Sequence, residues 1–137
     1  MKPIKFSFED LAVWQKSIDF AKVVLEITEE IKTRRRHYRL IEQLESASTS
    51  IALNIAEGKG RYSKKEFIKF LYISRGSLYE TIALLEILSK IDLINDRQLQ
   101  DMRNRSDEIA KMLCGLINSI KRSIDLDPMS SELRAMS

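Results

Sequence analysis

Apolar residues recur along the chain at steps of three and four, the spacing that places side chains on one face of an α-helix. Four segments carry such a stripe. The first runs through Leu11, Trp14, Ile18, Ala21, Leu25 and Thr28, and the second through Ile41, Leu44, Ser48, Ile51 and Ile55. The third holds Phe67, Leu71, Ser74, Leu78, Thr81, Leu85 and Leu88; the fourth holds Leu99, Met102, Ser106, Ile109, Leu113, Leu116 and Ile120. Stripes of this kind form the seam of helical bundles that cross near about 20°. Short connections between long helices force antiparallel neighbours, so the pattern predicts an all-α fold, an antiparallel up-down-up-down four-helix bundle. No strand alternation and no internal repeat is visible. The first helix has a further apolar stripe (Val13, Phe20, Val24, Ile27, Ile31), and the third a mixed one (Ile68, Tyr72, Tyr79, Ile82). Broad core faces absorb some of this, but two stripes on one helix also suit a bundle that packs against copies of itself.

The helix starts carry a shared grammar of cap and hydrophobic staple. Ser7 with Asp10, bracketed by Phe6 and Leu11, is expected to open helix 1. Ser63 with Glu66, between Tyr62 and Phe67, opens helix 3, and Asn95 with Gln98, between Ile94 and Leu99, opens helix 4. Helix 2 has only Thr33 as a weak cap and is placed from Arg36 or Tyr38. Residues 1–124 form the bundle, and residues 125–137, polar and interrupted by Pro128, read as a flexible tail.

Between helices 2 and 3 stands NIAEGKGRYSKKEF, residues 54–67, with Gly58 and Gly60 among cations. A phosphate-cradling P-loop needs a preceding strand and a glycine followed by Lys and Ser or Thr. Here a helix precedes, and Gly60 is followed by Arg61 and Tyr62. The stretch is therefore a corner, with Gly58 expected to close helix 2 in the left-handed conformation. The corner does not account for Lys64 and Lys65, which fall at the positive end of the helix 3 dipole, where cations are disfavoured by a few tenths of a kcal/mol, roughly. Lys32 and Arg34, Arg35 and Arg36, by contrast, follow the carboxyl end of helix 1, and Lys90, Lys121 and Arg122 likewise suit helix ends. Two cationic patches result: Arg34, Arg35, Arg36 and Arg39 at one end of the bundle, and Lys59, Arg61, Lys64 and Lys65, with Lys69 beyond, at the other. Each is open to two readings, a contact for a phosphate backbone or a solvated helix end.

Composition narrows the classes. The chain has 137 residues, 23 basic and 20 acidic, for a net charge of +3; distribution, not total, carries the electrostatic argument. Its length suffices to bury about two thirds of the unfolded surface without staples. A single cysteine, Cys114, makes no internal disulfide, and no apolar run approaches the roughly 20 residues of a membrane span. With no convincing signal sequence, a cytoplasmic protein without a membrane partner is expected. The one histidine, His37, is expected to be exposed, and Cys114 to lie in the core. There is no H-E-x-x-H and no C-x-x-C. No catalytic residue, metal site or cofactor is predicted, and the chain is read as a non-enzyme. Asn54, Glu57, Ser77 and Glu80 form a polar set, read as packing between helices 2 and 3. Gly76, inside helix 3, is expected to permit close approach to the small residues 46–52 of helix 2.

The stretches FEDLAVWQKSIDFA, QLESASTSIALNIAEGKGRYSKKEFIKFLYISRGSLYE and LLEILSKIDLI resemble the four-helix-bundle proteins encoded in intervening sequences of bacterial 23S ribosomal RNA genes. That family is related to the accessory variability determinant of diversity-generating retroelements. The most specific positions are Asn54, Glu57, Gly58, Ser63, Glu66, Gly76, Ser77 and Glu80, which read as corner and packing residues. Ser74 stands where alanine is expected, and the Arg34–Arg36 connection is more basic than usual. The resemblance implies a ring-shaped homopentamer and, for the retroelement relatives, binding of nucleic acid and of a reverse transcriptase through basic surfaces. Two functions follow as expectations. One is an oligomeric accessory protein whose Arg34, Arg35, Arg36, Arg39, Lys59, Arg61, Lys64 and Lys65 contact phosphates of RNA or DNA without sequence readout. The other is a homo-oligomeric scaffold for a protein such as a reverse transcriptase, without contact to nucleic acid.

Overall fold

The computed structural model describes residues 3–32 and 37–126. A 3-10 turn, Ser7–Asp10, leads into α1 (Ala12–Lys32), followed by α2 (Tyr38–Lys59), α3 (Lys64–Lys90) and α4 (Asp96–Asp125). No strand occurs among the described residues. Contacts between helices match rising residue numbers with falling ones: Gly58 with Phe70 and Ile51 with Ser74 across α2 and α3, Glu86 with Arg103 and Tyr72 with Lys121 across α3 and α4. Neighbours are therefore antiparallel, and contact between α1 and α4 closes a four-helix bundle. The α2–α3 pair packs most extensively and α1–α4 least. The proposed tail lies outside the described residues from 127 onward.

Two helix starts carry their caps. Ser63 Oγ accepts from the Glu66 N–H at 3.0 Å, and Asn95 and Gln98 bond reciprocally at 2.8 and 2.9 Å. The Ser7 box is displaced. Its partners are the Phe6 N–H and the Glu9 carboxylate, 2.9 Å apart, and they close the 3-10 turn rather than α1. Phe6 stacks on Phe8 at 6.0 Å, and α1 starts at Ala12, one turn later than Ser7 implied.

The expected seams of α2 and α3 are buried throughout. In α1 the core is mainly the other stripe: Val13, Phe20, Val24, Ile27 and Ile31 face inward, and of the expected seam Ala21 and Thr28 are buried while Ile18 and Leu25 stay 42% and 39% exposed. Phe20 and its branched neighbours offer more apolar surface than Ile18 and Leu25, and burial scales with apolar area. In α4, Met102, Ser106, Ile109 and Leu113 follow the expected seam, but burial then passes to Ile117 and Ile124. Leu99, Leu116 and Ile120 pack partly buried against the same core. Cys114, about 100° round the helix from Leu113, is exposed, contrary to its expected core position; the Asn118 amide lies 3.7 Å from its sulfur.

Hydroxyls inside the core bond to backbone. Ser17 donates to the Val13 carbonyl and Ser106 to that of Met102, both at 2.7 Å, each within its own helix. Ser74 instead donates across to the Ile51 carbonyl of α2 at 2.8 Å, which gives a physical use for serine where alanine was expected. Every buried side-chain polar atom described has a partner, as the cost of an unpaired buried donor requires.

The glycines depart from expectation. Gly58 does not end α2, which runs to Lys59, and no described glycine has a positive φ. Gly58 is buried, and a Cβ there would sit 2.6 Å from Phe70 Cβ and 3.1 Å from Phe67 Cδ1. The residue is glycine because α3 passes too close for a side chain. Gly76 was expected to serve that purpose, yet a Cβ there would meet nothing within 4 Å. The polar set lies where α2 meets α3: Asn54 Nδ2 donates to the carbonyl and hydroxyl of Ser50 at 2.8 Å, and the Ser77 and Ser50 hydroxyls are 3.0 Å apart. Gln43 donates to Glu80 at 3.1 Å.

Candidate nucleic-acid interface

The antiparallel order gathers the end of α2, the start of α3 and the end of α4 at one end of the bundle. Aromatic rings of α3 carry the cations of the corner. Lys59 Nζ stands 5.7 Å from the Phe67 centroid, and the Arg61 guanidinium 4.8 Å from that of Phe70. Arg61 also pairs with Glu57 at 2.9 Å, one helical turn back. Lys64 Nζ donates to Ser123 Oγ of α4 at 2.5 Å. Lys65 and Lys69 are exposed, and among the described residues neither they nor Lys59 and Lys64 form an ion pair with a carboxylate.

Arg39 is exposed in the first turn of α2. Twenty residues of α2 separate it from Lys59, about 30 Å along the axis. The structure thus does not bring Arg39 to the corner, and Arg34, Arg35 and Arg36 lie outside the described residues.

A face that sequence reasoning did not assign continues the corner along α3 and α4. Lys65, Tyr72 and Tyr79 recur every seventh residue and so share one side of α3, about 10 Å apart along the axis. The Arg75 guanidinium lies between the rings, 4.9 Å from the Tyr72 centroid and 6.0 Å from that of Tyr79. From α4, Lys121 Nζ donates to the Tyr72 hydroxyl at 2.7 Å and stands 5.3 Å from its ring centroid. Neither Arg75 nor Lys121 pairs with a carboxylate among the described residues. No acid occurs from Phe67 to Tyr79 or from Met112 to Ile124. The seven-residue spacing and the two acid-free runs are the available signals, but in sequence Tyr72 and Tyr79 read equally as a mixed packing stripe and Lys121 as a helix-end cation.

Elsewhere some cations are paired, while Lys22, Lys90, Arg97 and Arg122 are exposed and, among the described residues, form no ion pair. Lys16 pairs with Glu108 at 3.4 Å, Arg105 with Asp101 at 3.0 Å, Lys111 with Asp107 at 2.8 Å, and Arg103 with Glu86. Lys32 reaches Glu45 at 3.0 Å, and the same carboxylate accepts from Thr28 at 2.7 Å. The hydrogen bond to Glu45 raises the pKa of Lys32 above its ordinary 10.5, against an opposing effect of desolvation; Asp107 does the same for Lys111.

His37 is exposed, with a left-handed backbone at the start of α2. Among the described residues, no group of three or more His, Cys, Asp and Glu is placed to hold a metal, and no helix is long and apolar enough to cross a membrane.

Fold and surface together define an antiparallel four-helix bundle with a cationic, ring-studded tip. The family model of the 23S rRNA-intervening sequence proteins matches residues 9–115, and the chain belongs to that family. Among solved structures it is similar to a protein of unknown function from the S23 ribosomal protein family of Bacteroides thetaiotaomicron. The two share 29% identity at a TM-score of 0.74, over 77% of this chain and 98% of the other. No curated protein matches the chain.

Proposed function

We propose that this protein is a non-enzymatic, self-associating accessory factor that holds RNA or DNA through the cations around the Gly58–Ser63 corner. One observation carries the reading: five cations, Lys59, Arg61, Lys64, Lys65 and Lys69, stand at one tip against two acids, Glu57 and Glu66, and among the described residues only Arg61 of the five is in an ion pair. Four lysines clustered in one region attract a polyanion and gain entropy by releasing its counterions. Phosphate contacts of this kind confer affinity and not sequence choice. Self-association, as a pentameric ring in the form the family resemblance implies, is supported by Ile18 and Leu25, which the core leaves exposed on α1. That α1 face also favours the second reading, a scaffold for a protein partner such as a reverse transcriptase.

Titration of single-stranded RNA and duplex DNA over a range of salt separates the readings. If four lysines contact phosphates, log affinity falls against log salt with a slope of about −3 for single strands. Lys64→Glu with Lys65→Glu removes two contacts and flattens the slope by about 1.4. Absence of salt-dependent binding to either polymer would leave the scaffold as the better account. Sedimentation of the same samples reports the oligomer, and a monomer at micromolar concentration would contradict the ring.

A further inference from the structure

We propose that the α3/α4 face beside the corner is a stacking platform for unpaired nucleotides, with Tyr72 and Tyr79 as its rings, so that the protein prefers single strands to duplex. The inference rests on the nucleic-acid reading above and adds to it a choice of strand state. Phosphate contacts alone do not distinguish a single strand from a duplex by its bases; exposed rings do, because only an unpaired base offers its face to a side chain.

Three features of the face favour this. Both rings are accessible, Tyr72 at 37% and Tyr79 at 57% of the side-chain-bearing residue's surface. Both are held in place: Arg75 lies against the two of them, and the Lys121 bond ties the Tyr72 hydroxyl to α4. A ring whose orientation is already set loses less freedom when a base settles on it. Finally, Arg75 and Lys121 bring charge to within 4.9 and 5.3 Å of the Tyr72 ring centroid but meet no carboxylate among the described residues, so they remain available to phosphates flanking a stacked base.

The geometry gives the strand a path. From Lys65 past Tyr72 to Tyr79 the stripe spans fifteen residues of α3, about 21 Å of helix axis. Beyond Tyr79 it opens into a groove between α3 and α4 with a volume of about 470 Å³, floored by Leu78, Ile82, Ala83 and Ala110. The charges at its rim, Arg103 and Asp107, are already paired with Glu86 and Lys111. The face thus runs from a cationic tip, over two rings, to an apolar groove. A polyanion with flat apolar bases matches that order, whereas an acidic peptide would leave the rings and groove without partners.

The test compares three probes of equal length on the full chain: oligoadenylate, an abasic oligonucleotide, and duplex DNA. Stacking predicts that oligoadenylate binds more tightly than the abasic strand. It also predicts that Tyr72→Ala and Tyr79→Ala each weaken oligoadenylate binding by about 5- to 150-fold. Because neither substitution removes a charge, the salt slope and the affinity for the abasic strand stay unchanged. Tyr72→Phe and Tyr79→Phe keep the rings and retain binding, and circular dichroism on each variant controls for the fold. Equal affinity for oligoadenylate and the abasic strand, with the alanine variants silent and the Lys64→Glu, Lys65→Glu variant weakened, overturns the platform and leaves the phosphate reading standing. No binding of any probe overturns both. Loss of the oligomer in the tyrosine variants assigns the face to a second copy and overturns the platform.

Discussion

Adding one methyl group at Gly58 and one at Gly76 is expected to move stability in opposite directions. Both glycines lie inside helices with negative φ, so alanine gains about 0.8–1 kcal/mol at each from helix propensity alone. Their surroundings then decide. At Gly58 the new Cβ falls 2.6 Å from Phe70 Cβ, an atom fixed to the α3 backbone rather than the free end of a side chain. To reach ordinary contact, α2 and α3 must separate along a buried seam that also holds Ile51, Ile55 and Leu71. Overpacking of this kind costs about 1–3 kcal/mol, so Gly58→Ala should lose about 1 kcal/mol net. At Gly76 nothing lies within 4 Å, and the propensity gain of about 1 kcal/mol stands alone. For a chain of this size each change shifts the melting temperature by roughly 3 °C. Urea unfolding followed by circular dichroism, at one protomer concentration and again at tenfold more, reads both effects and exposes any contribution from association. A Gly58→Ala variant as stable as the wild type would refute the argument from close approach. A Gly76→Ala variant that weakens the protein in a concentration-dependent way would show that another copy covers that residue.

Two further outcomes follow from caps and charge. Asn95→Ala removes the oxygen that accepts from the Gln98 N–H and should cost about 1 kcal/mol, measured by the same unfolding curve, while Asn95→Asp should keep most of it. Lys32 has its pKa raised in the folded protein by Glu45, so its contribution is complete below the unfolded value of 10.5 and is lost as pH rises through the higher folded one. The stability difference between wild type and Lys32→Met should therefore be level at neutral pH and shrink above pH 10.5; a difference that grows with alkalinity would refute the pairing.

Helices α2 and α3 were legible because each carries one dominant apolar stripe, and the start of α3 is fixed by a cap that bonds as its spacing implies. Helix α1 was legible as a helix but not in its rotation. Its two stripes are each apolar, and only the area available from Phe20, Ile27 and Ile31 against the rest of the bundle decides between them. The place of the corner could be read from Ser63, but the reason for Gly58 could not. It depends on Phe70, twelve residues further on, and on how closely two helices pass. The candidate site was legible in part for the same reason. Lysines clustered in sequence, such as Lys64 and Lys65, announce themselves, whereas Lys121 meets Tyr72 only through the antiparallel register of α3 and α4.

The bonds that cross between helices are unevenly shared. Ser74 to Ile51, Ser77 to Ser50 and the seat of Phe70 on Gly58 all join α2 to α3, so sliding one along the other breaks several contacts at once. Helix α4 is joined by apolar surface, exposed ion pairs and the reaches of two flexible lysines, Lys121 to Tyr72 and Lys64 to Ser123, none of which penalises small lengthwise shifts as steeply. The molecule is therefore a stiff strut with a more compliant companion. The width of the gap between α3 and α4, where Tyr79 stands, is the dimension it can adjust without loosening its corner.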